Sequence, residues 1–434
     1  MHIADRRLPA RITPTQELLR WVPQFSLDER QRRWTLVRKK MADAGVDALI
    51  VLGTDIFWGM GTANMQYLFH VESQPGCEAV FPLEGEPVVW AGTPHTAWPG
   101  NRNLSTQTWC ADLRPRRGVR AVAEELHARG LGDCRLGLVG YTSAIQTTNV
   151  LLQGDVTTLE ALLPQAKLVD ASQMLVDVRL IKSEEEIDML RRAGAVARAT
   201  LDTMVESARP DATEADVYAD MARTHIASGG EPALFILLGS GPVEHADDEW
   251  WNLLHGAEGP KSPTTRPLSA GDIVIAEWHT KYGGYRCHTE FSVYLGRRAP
   301  DRLLKLWEIA VECLEASRSA LRAGNTVRDA VREIREPARR AGMNWVELGF
   351  HGMGAGSPEV PTVVYEEGFG PPMLNGEGIG DVVLEEGMTF GNNIDLHDGD
   401  WKRDVGCMLA DFMVVRPNGA EVLVDVPTDL PQVG

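Results

Sequence analysis

The stretch DIVIAEWHTKYGGYRCHTEFSVYLG (272–296) carries two apolar-rich runs on either side of Gly283 and Gly284. It reads as a β-hairpin with the glycines at its turn. Side chains alternate between faces along a strand, so residues 277 and 279 share one face. The hairpin therefore directs Glu277, His279, His288 and Glu290 toward one region, four chemically capable side chains within fourteen residues. Two chemistries use such a set: a metal centre, or bases that work without a metal.

The segments around the hairpin place it in a larger fold. Downstream, Arg302 to about Leu321 and Val327 to Ala341 have helical character, and MTFGNNIDL and CMLADFMVV read as strands. Upstream, ALFILLGSG (233–241) is a further strand. In KSEEEIDMLRRAGAVARATLDTMV, Ser183 and Glu186 form a capping box; Ile187, Leu190, Gly194, Ala197, Leu201 and Met204 then step along one helical face. Helices segregated from mostly antiparallel strands make an α+β domain over 179–434. Before it, DERQRRWTLVRKKMADAGVDALIVLG and GVRAVAEELHARGLGDCRLGLVG each read as helix then strand, predicting an α/β domain over 29–178. Residues 1–28 read as an irregular arm.

Composition narrows the function. Of 434 residues, 44 % are apolar and 24 % charged, which fits a globular chain of two or three domains. A net charge of −18 argues against a surface for nucleic acid or anionic membrane. The six cysteines are scattered and never spaced CxxC, which suits reduced, mostly buried thiols. No run approaches the roughly 18 to 20 apolar residues of a membrane helix, and the N-terminus has no apolar signal core. The expected location is the cytoplasm. GMGAGS, from Gly352, lacks the strand–glycine–helix context of a dinucleotide fingerprint and is assigned to turn chemistry.

Several motifs in order resemble the creatinase / aminopeptidase P / prolidase group: RRWTLVRKKMADAGVDALIVLG, VRLIKSEEEIDMLRRAGAVA, RPLSAGDIVIAEWHTKYGGY, GFHGMG, LEEGMTF and FMVVRPNGAEVL. The resemblance spans both halves of the chain. It implies the "pita-bread" fold: a pseudo-twofold antiparallel sheet covered by helices, with an active site on the concave face and often a homodimer. In such dimers the partner's N-terminal domain often closes the site.

Metallopeptidases of this group hold two metal ions with two Asp, one His and two Glu. Carried over by flanking motif, the first Asp position is Glu277 here, eight residues before Tyr285, and the second is His288, three after it. The His is His351, retained. The two Glu positions are Asn393, three residues after Phe390, and Ala410, directly before Asp411. A bridged pair of divalent ions brings about four positive charges, which this set is too poor in carboxylates to balance. No metal is therefore expected. The alternative left open is a single transition metal at Glu277, His279, His288 and His351.

Creatinase, in the same group, works without metal on a small guanidino compound, with a shuttle histidine and substrate-holding glutamates. The resemblance places Glu290 and Glu359 on those glutamates. It puts the shuttle in the loop SGPVEHADDEWWNLLHGAEGPKSPTTRPLSAGD, where His255 is favoured and His245 is a second candidate. The catalytic set is thus His255, His351, Glu290, Glu359 and Glu277; His288, His279, Tyr285, Asn393, His245 and Trp250 are substrate contacts. Trp58, Trp250 and Trp251 are candidates to stack on a cation. Together they predict a hydrolase of a non-peptide C–N bond in a small polar, cationic substrate. Two readings stand beside it: a metal-dependent Xaa-Pro peptidase or lyase, and a ligand-binding pseudoenzyme whose cleft is made bulky by Trp278, His279 and Phe291.

Overall fold

Helix α1 (Leu27–Ala44) starts where Ser26 Oγ accepts the Glu29 N–H and stops at Gly45, whose φ of 62° is left-handed. It buries Trp34, Val37 and Met41 on one face, and the apolar strand β1 (Ala48–Gly53) follows. The arm expected through residue 28 gives way to helix at Leu27, because Ser26 supplies the cap. The structure, a computed structural model, describes residues 22–53, 60–71, 76–92, 108–142, 151–232, 236–244, 263–364, 378–401 and 405–434. The chain divides into two compact units, 1–180 with 355–358 and 373–376, and 181–354 with 359–372 and 377–434.

In the first unit, α2 (Ala63–Phe69), β2 (Cys77–Pro82), β3 (Val88–Ala91), β4 (Asp112–Arg114), α3 (Val119–Ala128), β5 (Arg135–Val139), α4 (Gln153–Leu162), β6 (Lys167–Asp170) and α5 (Ser172–Leu180) follow β1. The sheet order is β4-β3-β2-β1-β5-β6. Strand β1 runs parallel to β5 and antiparallel to β2, so the sheet is mixed. Val122 and Leu126 of α3 share a buried core with Ile50, Leu138 and Leu159.

The second unit opens with α6 (Glu184–Ser207), whose capping box joins Ser183 and Glu186 as the sequence predicts. Gly194 sits inside this helix because a Cβ there would come within 2.3 Å of the Leu423 carbonyl oxygen. Then come α7 (Glu214–Ala227), β7 (Ile236–Pro242), β8 (Asp272–Tyr282), β9 (Tyr285–Leu295), α8 (Asp301–Ala320), α9 (Val327–Ala341), β10 (Asn344–Gly352), β11 (Glu359–Val363), β12 (Thr389–His397), β13 (Gly406–Met408), β14 (Phe412–Arg416), β15 (Gly419–Val424) and β16 (Gln432–Val433).

The strands form two hydrogen-bonded sheets. One has the order β16-β9-β8-β7; the other runs β11-β10-β12-β14-β15, with β13 paired to β12. All these pairings are antiparallel except β16 alongside β9. The stretch CMLADFMVV, predicted as one strand, breaks into β13 and β14. At the break, Ala410 leaves its own sheet and bridges to Glu290 of β9: its N–H donates to the Glu290 carbonyl at 3.1 Å. Thr289 Oγ1 donates to the Ala410 carbonyl at 3.0 Å. Glu290 thus stands at the joint of the two sheets. None of the six cysteines forms a disulfide. Among the described residues, no helix is long and apolar enough to cross a membrane.

Candidate functional site

The β8–β9 register sets Glu277 opposite Glu290 and His279 opposite His288. Period-two alternation then turns all four the same way. His279 Nε2–H donates to Glu277 Oε1 at 2.8 Å, with both side chains buried. The His279 and His288 rings stack at 5.3 Å between centroids, and His288 stacks on His351 of β10 at 4.7 Å. The result is a row of three imidazoles with a carboxylate at one end.

His288 is locked in place. Its Nε2 lies 3.0 Å from the Asn392 carbonyl and its Nδ1 3.3 Å from Met353 Sδ. Gly391 leaves room for the ring, since a Cβ there would come within 2.3 Å of His288 Cε1.

A carboxyl cluster adjoins the imidazoles. Asn393 Nδ2 donates to Glu290 Oε1 at 2.6 Å. The other Glu290 oxygen meets no N–H donor among the described residues. Asp395, Glu277 and Glu347 all act on Glu290 electrostatically, and Glu290, Asp395 and Asn393 are nearly or fully buried. Next to His351 in β10, Gly352 pairs in register with Glu359, whose Oε2 lies 3.0 Å from Lys182 Nζ.

Burial dominates the electrostatics. It holds His279 and His351 down to about 3, with Arg286 adding to the effect on His279 and His279 to that on His351. His288 also falls well below the usual imidazole range, from burial first and then its two histidine neighbours. All three are neutral at physiological pH. Burial, then the charges of Asp395, Glu277 and Glu347, pushes Glu290 well above the ordinary carboxyl range. The site therefore holds neutral imidazoles beside a carboxyl that keeps its proton.

The structure brings Glu277, His279, His288, His351, Glu290 and Asn393 together, with Glu359 one register step beyond. Tyr285 lies elsewhere: its hydroxyl donates to Glu186 Oε1 at 2.6 Å, at the start of α6. Trp278 and Phe291, expected to crowd the cleft, have opposite strand parity and face the helices. Trp278 Nε1 donates to His225 Nδ1 at 3.1 Å, and Phe291 packs edge-on against Trp307. The bulky-cleft argument for a pseudoenzyme loses its support. His245, His255, Trp58, Trp250 and Trp251 lie outside the described residues. Sequence reasoning missed Asp395, Glu347 and Lys182. Strand parity with Asn393 could have flagged Asp395, and parity with His351 could have flagged Glu347; no local signal marks Lys182.

Ala410 has no donor atom, Asn393 turns its amide N–H toward Glu290, and His288 has Nε2 against a carbonyl. Glu277, His279 and His288 do offer ligand atoms within 4.8 Å of one another, a spacing that suits one ion.

The two linked sheets with outer helices, and a buried acid–imidazole site at their joint, define the pita-bread class. The chain belongs to metallopeptidase family M24, whose family model matches residues 188–417. It is 29 % identical over 262 residues to the probable dipeptidase PepE of Mycobacterium tuberculosis, covering 60 % of this chain and 62 % of that one. It is 25 % identical to the creatinase of a Bacillus species, over 72 % of each chain. The ectoine hydrolase of Halomonas elongata is 23 % identical across 94 % of this chain and 98 % of its own. Thermotoga maritima X-Pro aminopeptidase superposes with a TM-score of 0.73 at 15 % identity, over 92 % of this chain and 99 % of that one. Pyrococcus horikoshii prolidase gives 0.72 at 17 %, with the same coverage of each chain. At such identities these structures share the fold alone.

Proposed function

We propose that the protein hydrolyses a non-peptide C–N bond in a small polar, cation-bearing substrate, using side chains and no metal pair. One observation carries this reading: at two positions where peptidases of the group place glutamate ligands stand Ala410 and Asn393, and Asn393 gives its amide to Glu290 at 2.6 Å. Similarity to a creatinase and an ectoine hydrolase supports it.

In this reading the carboxyl-rich cluster attracts a cationic or strongly polarised C–N centre. A neutral imidazole, His351 or the loop histidine His255 or His245, takes a proton from water as the oxygen attacks carbon. Glu290, holding its proton, gives it to the departing nitrogen as the C–N bond breaks. Glu277 orients His279 and adds negative charge. The scattered cysteines favour the cytoplasm, and the family pattern a homodimer.

Metal analysis and chelation test the reading. The purified protein, assayed on ectoine, creatine and an Xaa-Pro dipeptide, is expected to hold far less than one equivalent of transition metal. It should turn over a non-peptide substrate after exhaustive chelation. Stoichiometric metal with chelator-sensitive turnover would sink it. A second reading, one transition ion held by Glu277, His279 and His288, is favoured by their 4.8 Å spacing and would be chosen by that outcome. Similarity to PepE makes peptide cleavage the reaction to test with it.

A further inference from the structure

Lys182 is a charged side chain that the reaction above does not use, yet it is buried. Its ammonium lies 3.0 Å from Glu359 Oε2, with 3 % of the lysine side chain and 7 % of the glutamate exposed. The two residues are 177 positions apart in sequence. A buried ion pair is a poor way to gain stability, because desolvation offsets most of the attraction. Its presence calls for another reason.

Three elements fix the lysine. It directly precedes Ser183, the cap of α6, so helix capping sets its backbone. Its N–H donates to the Gly387 carbonyl at 3.0 Å in the turn before β12. Its stem passes beneath Gly354, where a Cβ would come 2.8 Å from Lys182 Cε and 3.2 Å from Glu359 Oε2. Gly354 itself is tied to β9 by the Arg286 N–H, which donates to its carbonyl at 2.8 Å. The glycine in HGMG is therefore more than a turn residue: it leaves the space in which the lysine reaches the glutamate.

We propose that Lys182 is a positioning residue of the site, an ammonium that holds Glu359 charged and in one orientation as an acceptor for the cationic nitrogen of the substrate. This rests on the proposed function and on the substrate-holding role that the family resemblance gives Glu359. Without the lysine, a carboxylate this buried takes up a proton, and a cation can then bind only by expelling it. The same loss follows if the lysine stays but is displaced, which makes Gly354 part of the device.

The test measures acetamidinium chloride binding by calorimetry at pH 6.5, 7.5 and 8.5, for wild type, K182M, K182R, E359Q and K182M/E359Q. In K182M, binding should weaken about tenfold at pH 6.5 and recover toward pH 8.5. K182R should stay near wild type. The double variant should bind no worse than E359Q and lose the added pH dependence, because the lysine acts only through the glutamate. G354A should move part of the way toward K182M. A merely structural lysine would lower thermal stability in all backgrounds and leave the pH dependence unchanged. If E359Q weakens binding while K182M matches wild type at every pH, the assignment fails and the proposed function stands. If wild type binds no acetamidinium, or E359Q binds it unchanged, the role of Glu359 falls, and the assignment to Lys182 with it.

Discussion

Asn393 Nδ2 donates to Glu290 Oε1 at 2.6 Å, joining a side chain of β12 to one of β9 across the boundary between two sheets. The pairing changes what both residues can do. The amide cannot serve as a metal ligand through that nitrogen, and the carboxyl gains a fixed donor on one oxygen. The polar partner sits where charge would be hardest to tolerate, since Glu290 already faces Asp395, Glu277 and Glu347.

Replacing that amide by an acid tests the pairing. N393D swaps a donor for a second carboxyl against Glu290. Stability is expected to fall by about 1–3 kcal/mol, and by more at pH 8 than at pH 5, where the extra proton relieves the contact. Urea unfolding at the two pH values measures it; equal losses would mean that the residues do not interact as described.

Glu290 gives a pH signature of its own. Its folded pKa lies well above the ordinary value of 4.5, because of burial and then its acidic neighbours. A raised folded value contributes stability below the unfolded pKa and loses it as pH rises through the folded one. E290Q, which cannot ionise, should therefore gain on wild type as pH climbs from 6 to 9. It should also lose about 10²-fold or more in turnover, as expected of a missing proton donor. Scanning calorimetry across that range, beside an activity assay, checks both signs.

Asp395 is the largest electrostatic contributor to that shift after burial. D395N removes the charge and keeps the shape, so the alkaline limb of the kcat/KM profile should move to lower pH. A limb that stays in place would show that Glu290 is not the group reporting there.

The imidazoles act in the opposite direction. His279 and His351 are held to about 3 by burial, against an ordinary 6.5. Between those values the unfolded chain binds more protons than the folded one, so stability present above pH 6.5 is lost as pH falls toward 3. The melting temperature should drop through this window, and H351Q should flatten the slope. An unchanged slope in that variant would assign the acid lability to other groups.

Much of the fold is legible locally. The capping box at Ser183, the left-handed Gly45 after α1, and the alternation across 272–296 each predict an element that the structure contains. These signals depend on residues within a turn or two of each other. Others do not announce themselves. Tyr285 looks like a site residue beside Arg286 and His288, yet its hydroxyl ends on Glu186, because strand alternation and the packing of α6 decide its partner.

The sequence by itself determined the kind of side chains available: acids and imidazoles along one hairpin, with Asn393 and Ala410 further down the chain. Only the tertiary structure decided which of them meet. Glu290 finds Asn393 over 103 positions, and Lys182 finds Glu359 over 177. Hydrogen bonds and ion pairs at such separations have no local pattern; they exist because two sheets and a helix cap bring distant backbone together, and burial then fixes the protonation of what is enclosed.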